Sequence, residues 1–560
     1  MTGVQTCALP ISMAPRTGDE ADKKEPLKDA ASKIKPTKID FDGLMNRVVS
    51  LPVAERNYDS LAVASDGGLF FIERRQPGAS NDPPDPDGGS SSLAGELVRF
   101  NFEERKSATI KSAVVGISMS ADGKKMLIQL PRGRLEIADA SVKLDAKPID
   151  TSQVGALVDP REEWQQIFDE SWWMQKAFFY DGNMHGLDWN AVRTRYAPLV
   201  KHVHRREDLN ELIREMIGEL QVGHNSIGGG DLHRERAANT GLLGADYEYE
   251  NNRYRIKTIY PGDRWNPFLK APLAVPGLGV SEGDYIISVN GREVTAKDNL
   301  YAFLDNTVGR QVTLGVSRDP GGGKVNNIVV QPVASETALR RWHWIEKNRQ
   351  AVEKASNGRI AYVYLPDTGG DGYKHFNRMF FTQVDKDGVI VDVRRNSGGQ
   401  AANYVTDVLS RTHLAGWKDR AGMIFETPGG AIYGPKAMLI DQDAGSGGDF
   451  LPYSFKRMEL GPLIGKRTWG GLIGISANPQ LVDGGSMTVP FFRFFTPEKQ
   501  WRIENEGVAP DIDVELDPTA VNRGRDPQLE AAIRNVMTRL PSANSTVERK
   551  RAPASATLGK

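Results

Sequence analysis

Residues 436–455 read KAMLIDQDAGSGGDFLPYSF. The run KAMLIDQ is almost unbroken in apolar side chains, the pattern of a strand covered on both faces. FLPYSFKRM, from 450, resumes with helical spacing. Between them lies a turn of small residues, DAGSGGD, with Ser446 at its centre. The stretch predicts strand, sharp turn, helix, with a serine hydroxyl exposed beside a helix N-terminus. Partial positive charge at such an end favours a developing oxyanion. A serine in a glycine-rich turn is also the ordinary helix cap, and this stretch alone leaves both readings open.

Working outward, RIAYVYLP (359–366) and GVIVDVRRN (388–396) are buried-strand runs of the same kind. NYVTDVLSRTH (403–413) follows one of them with helical periodicity, and DPQLEAAIRNVMTRL (526–540) is an amphipathic helix after an Asp cap. Residues 336–540 therefore predict an α/β domain. After GVIVDVR comes a second glycine turn, RNSGG (395–399), read either as backbone donors for an oxyanion or as a plain turn.

Residues 238–335 read as strands and turns. GLGVSEGDYIISVNGREVT (277–295) carries turn chemistry at Gly283-Asp284 and Asn290-Gly291. Its G-D-x-I-x-x-V-N-G run resembles a PDZ domain, a module that binds extended peptides by strand addition. Residues 158–237 read as a small helical domain that ends near Gly223-His224-Asn225. Residues 39–157 hold hairpin signatures around Asp66-Gly67-Gly68 and Asp122-Gly123, separated by a Pro/Gly/Ser loop at 76–92. This spacing suggests a remnant of β-propeller blades. The expected class is thus multidomain α+β: partial propeller, helical domain, PDZ-like domain and α/β domain. Residues 13–38 and 541–560 are polar, with the composition of a linker and a tail. Residues 1–12 resemble the translation of a sequencing-adapter oligonucleotide. They are expected to be an assembly scar on a reading frame that begins partway into a longer gene, the alternative being an unusual natural N-terminus.

The 560 residues include 71 basic and 72 acidic side chains. Such balance argues against broad nucleic-acid binding. No apolar run approaches the ~20 residues of a membrane span. The one cysteine, Cys7, lies in the scar, so disulfides and thiol chemistry are not expected. There is no H-E-x-x-H motif, and neither metal nor cofactor is expected; His202 and His204 have the spacing of a solvated helix.

Taken in order, GELQVGHN (218–225), APLAVPGLGVSEGDYIISVNG (271–291), IVDVRRNSGG (390–399), DAGSGGDFLPYSF (443–455), GKRTWGG (465–471) and RIENEGVAPDIDVE (502–515) resemble the tricorn protease family, related to the C-terminal processing peptidases. The resemblance covers about residues 40–540. It implies a serine peptidase acting on oligopeptides through an acyl-enzyme. Ser446 would be the nucleophile, His224 the general base and Glu504 the acid that orients the unit. The Gly398-Gly399 turn and the N–H of Gly447 would form the oxyanion hole. The residue types suit the chemistry, because an imidazole can act as base and then acid near neutral pH. His185, also beside glycines, is the reserve base. The processing peptidases place a lysine base in a T-F-G-K-G run; here the position is Gly471, which favours histidine. The family often has serine before its catalytic histidine, and here stands Gly223. The resemblance further implies peptide substrates, homo-oligomeric ring assembly and a cytoplasmic location, with the periplasm as alternative. A catalytically impaired PDZ/propeller peptide-binding scaffold and a hydrolase of non-peptide esters are the rival functions.

Overall fold

The computed structural model describes residues 40–74, 94–233, 235, 238–263, 266, 269–476, 478–540 and 552–553. The expectations for 1–12, 13–38, the 76–92 loop and nearly all of 541–560 lie outside the described residues.

Two four-stranded antiparallel sheets come first. One contains Asn57–Val63, Leu69–Arg74, Gly95–Asn101 and Lys106–Val114; the other contains Gly116–Met119, Lys125–Gln129, Leu135–Asp139 and Lys147–Ile149. Both expected hairpin turns form. Asp66 accepts the N–H of Gly68 at 2.9 Å, and Asp122 accepts that of Lys124 at 3.0 Å. Phe70, Ile72 and Leu97 of one sheet join Met126 and Ile128 of the other in one core. Each sheet has the four-stranded form of a propeller blade.

The helical segment comprises Pro160–Phe178, Trp189–Tyr196 and Arg206–Gly218. Asp159 caps the first helix by accepting the N–H of Arg161 at 2.9 Å, with Pro160 in the first turn. The apolar spacing turns Ile167, Phe168 and Met174 inward against Leu209, Ile213 and Met216. His202 and His204 lie at and beyond the end of the 3-10 turn Ala197–His202 rather than on a regular helix.

The helices do not close this core alone. Ile473, Leu481, Met487 and Val489, from the far end of the chain, complete it. A three-stranded sheet makes the join: Ser226–Gly228 pairs antiparallel with Ser486–Phe492, which pairs with Gly474–Ser476. Beside it, Arg206 meets Asp483 at 2.6 Å, with side chains 2% and 3% exposed. The boundary between residues 158–237 and 336–540 is therefore no break in packing.

The PDZ-like sheet is antiparallel, in the order Ala245–Glu250, Arg253–Ile259, Tyr285–Val289, Val312–Ser317, Asn326–Val330, with Arg292–Glu293 paired onto Tyr285–Val289. It is tied to the last domain through Arg340, which bonds Asp246 and Glu336 at 2.7 Å each. Arg378 bonds Asp263 at 2.7 Å.

The α/β domain is built on five parallel strands in sequential order: Ile360–Tyr364, Gly388–Asp392, Lys436–Ile440, Leu463–Gly465 and Ile512–Asp513. Every residue of the first three is buried, as their apolar runs predict. Among the described residues, no helix is long and apolar enough to cross a membrane.

Replacing Arg206 by Ala leaves the buried Asp483 carboxylate without its cation, held only by the N–H groups of Asp231 and Gly485. We expect a loss of about 3–5 kcal/mol in unfolding free energy by denaturant titration, with loosening of the 226–228 strand visible in amide exchange. Wild-type stability and protection in this variant would exclude that coupling.

Candidate active site

Ser446 lies where the central strand Lys436–Ile440 gives way to the helix Gly447–Arg457, at the N-cap position. The sequence left cap and nucleophile as alternatives, and one position serves both geometries. Its backbone is strained, with φ 58° and ψ −118°, a conformation that non-glycine residues seldom adopt. The turn is held from within by Asp449, which is fully buried. One carboxylate oxygen accepts the N–H of Ser446 at 2.9 Å and of Gly471 at 3.2 Å. The other accepts the Thr468 hydroxyl at 2.5 Å and the Gly470 N–H at 2.8 Å. Burial pushes the Asp449 carboxyl above the usual range, against these bonds.

The RNSGG turn packs backbone to backbone against the serine. A Cβ on Gly398 would stand 2.5 Å from Ser446 Cβ, and one on Gly447 would stand 2.3 Å from the Gly399 carbonyl oxygen and 2.8 Å from its nitrogen. Only glycine permits this approach. The N–H of Gly398 is engaged by Asn396 Oδ1 at 3.0 Å. The N–H groups of Gly399 and Gly447 form no hydrogen bond among the described residues.

His224 reaches the serine through the strand Ser226–Gly228. Thr488 fastens this segment: its hydroxyl donates to the His224 carbonyl at 3.0 Å and pairs with the Ser226 hydroxyl at 2.7 Å. The imidazole stands edge-to-face on Trp469, with centroids 5.1 Å apart. The same indole borders the serine side, where a Cβ on Gly445 would lie 2.4 Å from Trp469 Cε3. His224 and Gly445, the residue before Ser446, thus flank one ring. No hydrogen bond joins His224 to Ser446, and His224 Nδ1 is buried with no partner among the described residues. Catalytic hydrogen bonds commonly tighten only when substrate is bound. Burial lowers the His224 pKa from its usual value, while Glu504 and then Asp449 draw it back up.

Glu504 acts on the histidine through the backbone. Its Oε1 accepts the N–H of Gly223 at 3.1 Å, and its Oε2 accepts those of Leu472 and Ile473 at 2.8 Å each. One carboxylate therefore clips the histidine loop to the segment after Gly471. The missing serine at 223 has a steric reason, since a Cβ there would lie 2.7 Å from Trp469 Cζ2.

The reserve base, His185, is occupied otherwise. Its Nδ1 pairs with the Leu220 carbonyl at 3.0 Å and its Nε2 with the Tyr180 hydroxyl. Among the described residues, no group of three His, Cys, Asp or Glu could hold a metal ion. Asp449 and Trp469 were not singled out from the sequence. The S-x-x-D spacing of Ser446 and Asp449 is a capping-box signal that could have found the first. Nothing local marks Trp469, whose role comes from contacts distant in sequence.

A parallel sheet with a strained serine at the end of its central strand, a facing glycine turn and a histidine on a neighbouring segment together form one candidate site. Comparison with known proteins names the domains that carry it. Residues 359–514 match peptidase family S41, residues 160–218 the tricorn protease C1 domain and residues 241–335 the tricorn protease PDZ domain. The chain belongs to the tricorn protease family. It is 34% identical over 512 residues to tricorn protease homolog 1 of Streptomyces coelicolor, covering 89% of this chain and 47% of that protein. It is 31% identical to the tricorn protease of Thermoplasma volcanium, covering 92% and 50%. A crystal structure of the tricorn protease superposes with a TM-score of 0.78 at 27% identity, covering 86% and 46%. The chain spans about half the length of these relatives.

Gly223→Ser should displace Trp469 and with it His224. We expect a drop of about tenfold or more in turnover, recovered in part when Trp469→Phe frees the space; full activity in the single variant would refute the steric account. Asp449→Ala leaves buried donors unpaired and should cost on the order of 3 kcal/mol in thermal or denaturant unfolding.

Proposed function

We propose that this chain is a serine peptidase that hydrolyses oligopeptides, with Ser446 as nucleophile, His224 as general base and Glu504 as a positioning carboxylate. One observation carries the reading: the strained Ser446 turn packs against Gly398-Gly399, the N–H groups of Gly399 and Gly447 form no hydrogen bond among the described residues, and the Trp469 indole that borders Gly445 also carries the His224 imidazole. In this account His224 takes the proton from Ser446 Oγ as the oxygen attacks the peptide carbonyl. The N–H groups of Gly399 and Gly447 receive the oxyanion, and Gly398 supplies the close approach that places them. A single donor of this kind contributes about 3 kcal/mol to the transition state. The imidazolium then returns its proton to the leaving amine, giving an acyl-enzyme. Water attacks the acyl carbon, again with His224 as base, and releases the acid and Ser446.

An extended peptide suits the surroundings. The strand Gly474–Ser476 follows directly on Ile473 and pairs on one side only among the described residues. Its other edge offers a peptide backbone a partner beside the serine. Homo-oligomeric ring assembly and a cytoplasmic location extend the proposal by family likeness; light scattering of the purified chain tests the first.

The 560-residue chain should cleave fluorogenic oligopeptides, and Ser446→Ala should lower kcat by 1,000-fold or more without loss of fold. Retained turnover would refute the assignment. The base must be neutral to act. With the folded pKa of His224 below 6.5, the acid limb of kcat/KM should fall below pH 6.5. Glu504→Gln removes the charge that raises this pKa, so the limb should move to still lower pH as the plateau drops.

A further inference from the structure

Arg493 lies just past the strand Ser486–Phe492, whose Phe492 is paired with Gly474. Gly474 is in turn the residue after Ile473, whose N–H is held by Glu504. This register sets Arg493 one residue past the partner of Gly474, on the strand beside the segment that Glu504 holds. The side chain is placed with some precision. Its guanidinium carbon stands 4.4 Å from the ring centroid of Trp501 and 5.7 Å from that of Tyr180.

Both rings are themselves fixed. Tyr180 donates its N–H to the Pro490 carbonyl at 2.9 Å and pairs its hydroxyl with His185. Trp501 is bridged to Phe495 along the backbone and meets that ring edge-to-face at 5.7 Å. Stacking occupies the faces of a guanidinium and leaves its edge N–H groups free, which is the geometry that grips a carboxylate.

Among the described residues, Arg493 forms no ion pair and no side-chain hydrogen bond. The acidic groups that act on Tyr180 together with it are Asp181 and Glu504. Both are committed to backbone N–H groups, Asp181 to Asn183 and His185, Glu504 to Gly223, Leu472 and Ile473. The nearby Glu498 is taken by Arg457 at 2.6 Å, while Lys499 adds a second cation over Phe495. Trp501 against the cation and Phe495 against Trp501 are each about half exposed, as are Phe491 and Phe492 next to Arg493 in the chain. A bound peptide would cover them and strengthen a charged contact by excluding water.

We propose that Arg493 is a specificity-determining residue that binds a carboxylate of the peptide held at Ser446. The inference rests on the peptidase reading above. The carboxylate could belong to an acidic side chain or to a free chain end, and the test separates them. One core peptide is prepared neutral and amidated, with a free C-terminal carboxylate, and with Glu at each successive position around the cleavage site. The wild-type chain, Arg493→Gln and Arg493→Lys are compared by the ratio of kcat/KM for each acidic peptide over the neutral one.

We expect one register, or the free end, to be favoured about 10- to 100-fold by the wild type. Gln should bring that ratio to about one, and Lys should keep part of it. A ratio near one at every register in the wild type, or a preference that survives Arg493→Gln, would overturn the inference. Fluorophosphonate labelling of Ser446 in the same samples keeps the two levels apart. A labelled, active chain with a flat ratio defeats the Arg493 inference alone, whereas an unlabelled chain without turnover defeats the peptidase reading and this inference with it.

Discussion

The antiparallel pairing of Ser226–Gly228 with Ser486–Phe492 is the constraint on which the site depends. The serine and histidine come from segments that share no local structure. Strand pairing fixes their register, and the shared core of Ile473, Met487 and Val489 with the helices fixes their separation. The buried Arg206–Asp483 pair adds specificity more than net stability, because desolvation offsets much of its attraction while any mispairing leaves a bare charge inside. A helical segment that could slide by one residue would turn its side chains to the opposite face and carry His224 away from the serine.

Around that join, the site is made by backbone approach rather than by side-chain bulk. Gly398, Gly399 and Gly447 let two turns meet with no Cβ between them. Gly223, Gly445 and Gly471 do the same for the indole of Trp469. The ring fills the space that a side chain at position 223 would need. The two carboxylates divide the remaining work. Asp449 holds the serine turn through four hydrogen bonds, and Glu504 ties the histidine loop to the segment after Gly471 through three backbone N–H groups.

Much of this was legible beforehand. Buried runs such as GVIVD and KAMLI predicted central strands because a parallel sheet covered on both faces needs apolar residues at every position. Asp526 marked a helix start that formed as read. The order of motifs brought Ser446, His224 and Glu504 together as candidates before any coordinates. Contacts between distant residues were not legible. Glu504 was expected as the acid that orients the unit, but nothing in the sequence showed that its bonds would go to the backbone N–H groups of Gly223, Leu472 and Ile473. Gly398 was grouped with the oxyanion donors, yet its N–H is engaged by Asn396. Trp469 and Arg493 carry no local signal, since their surroundings are assembled only by the fold.

The central claim is that a single serine is activated by a histidine delivered from another segment. Mapping the adduct of a fluorophosphonate probe by mass spectrometry, in the wild-type chain and in His224→Ala, tests it most directly. The account predicts one adduct, on Ser446, forming at least about 100-fold more slowly in the variant. An adduct on a different serine, or an unchanged rate without His224, would contradict it.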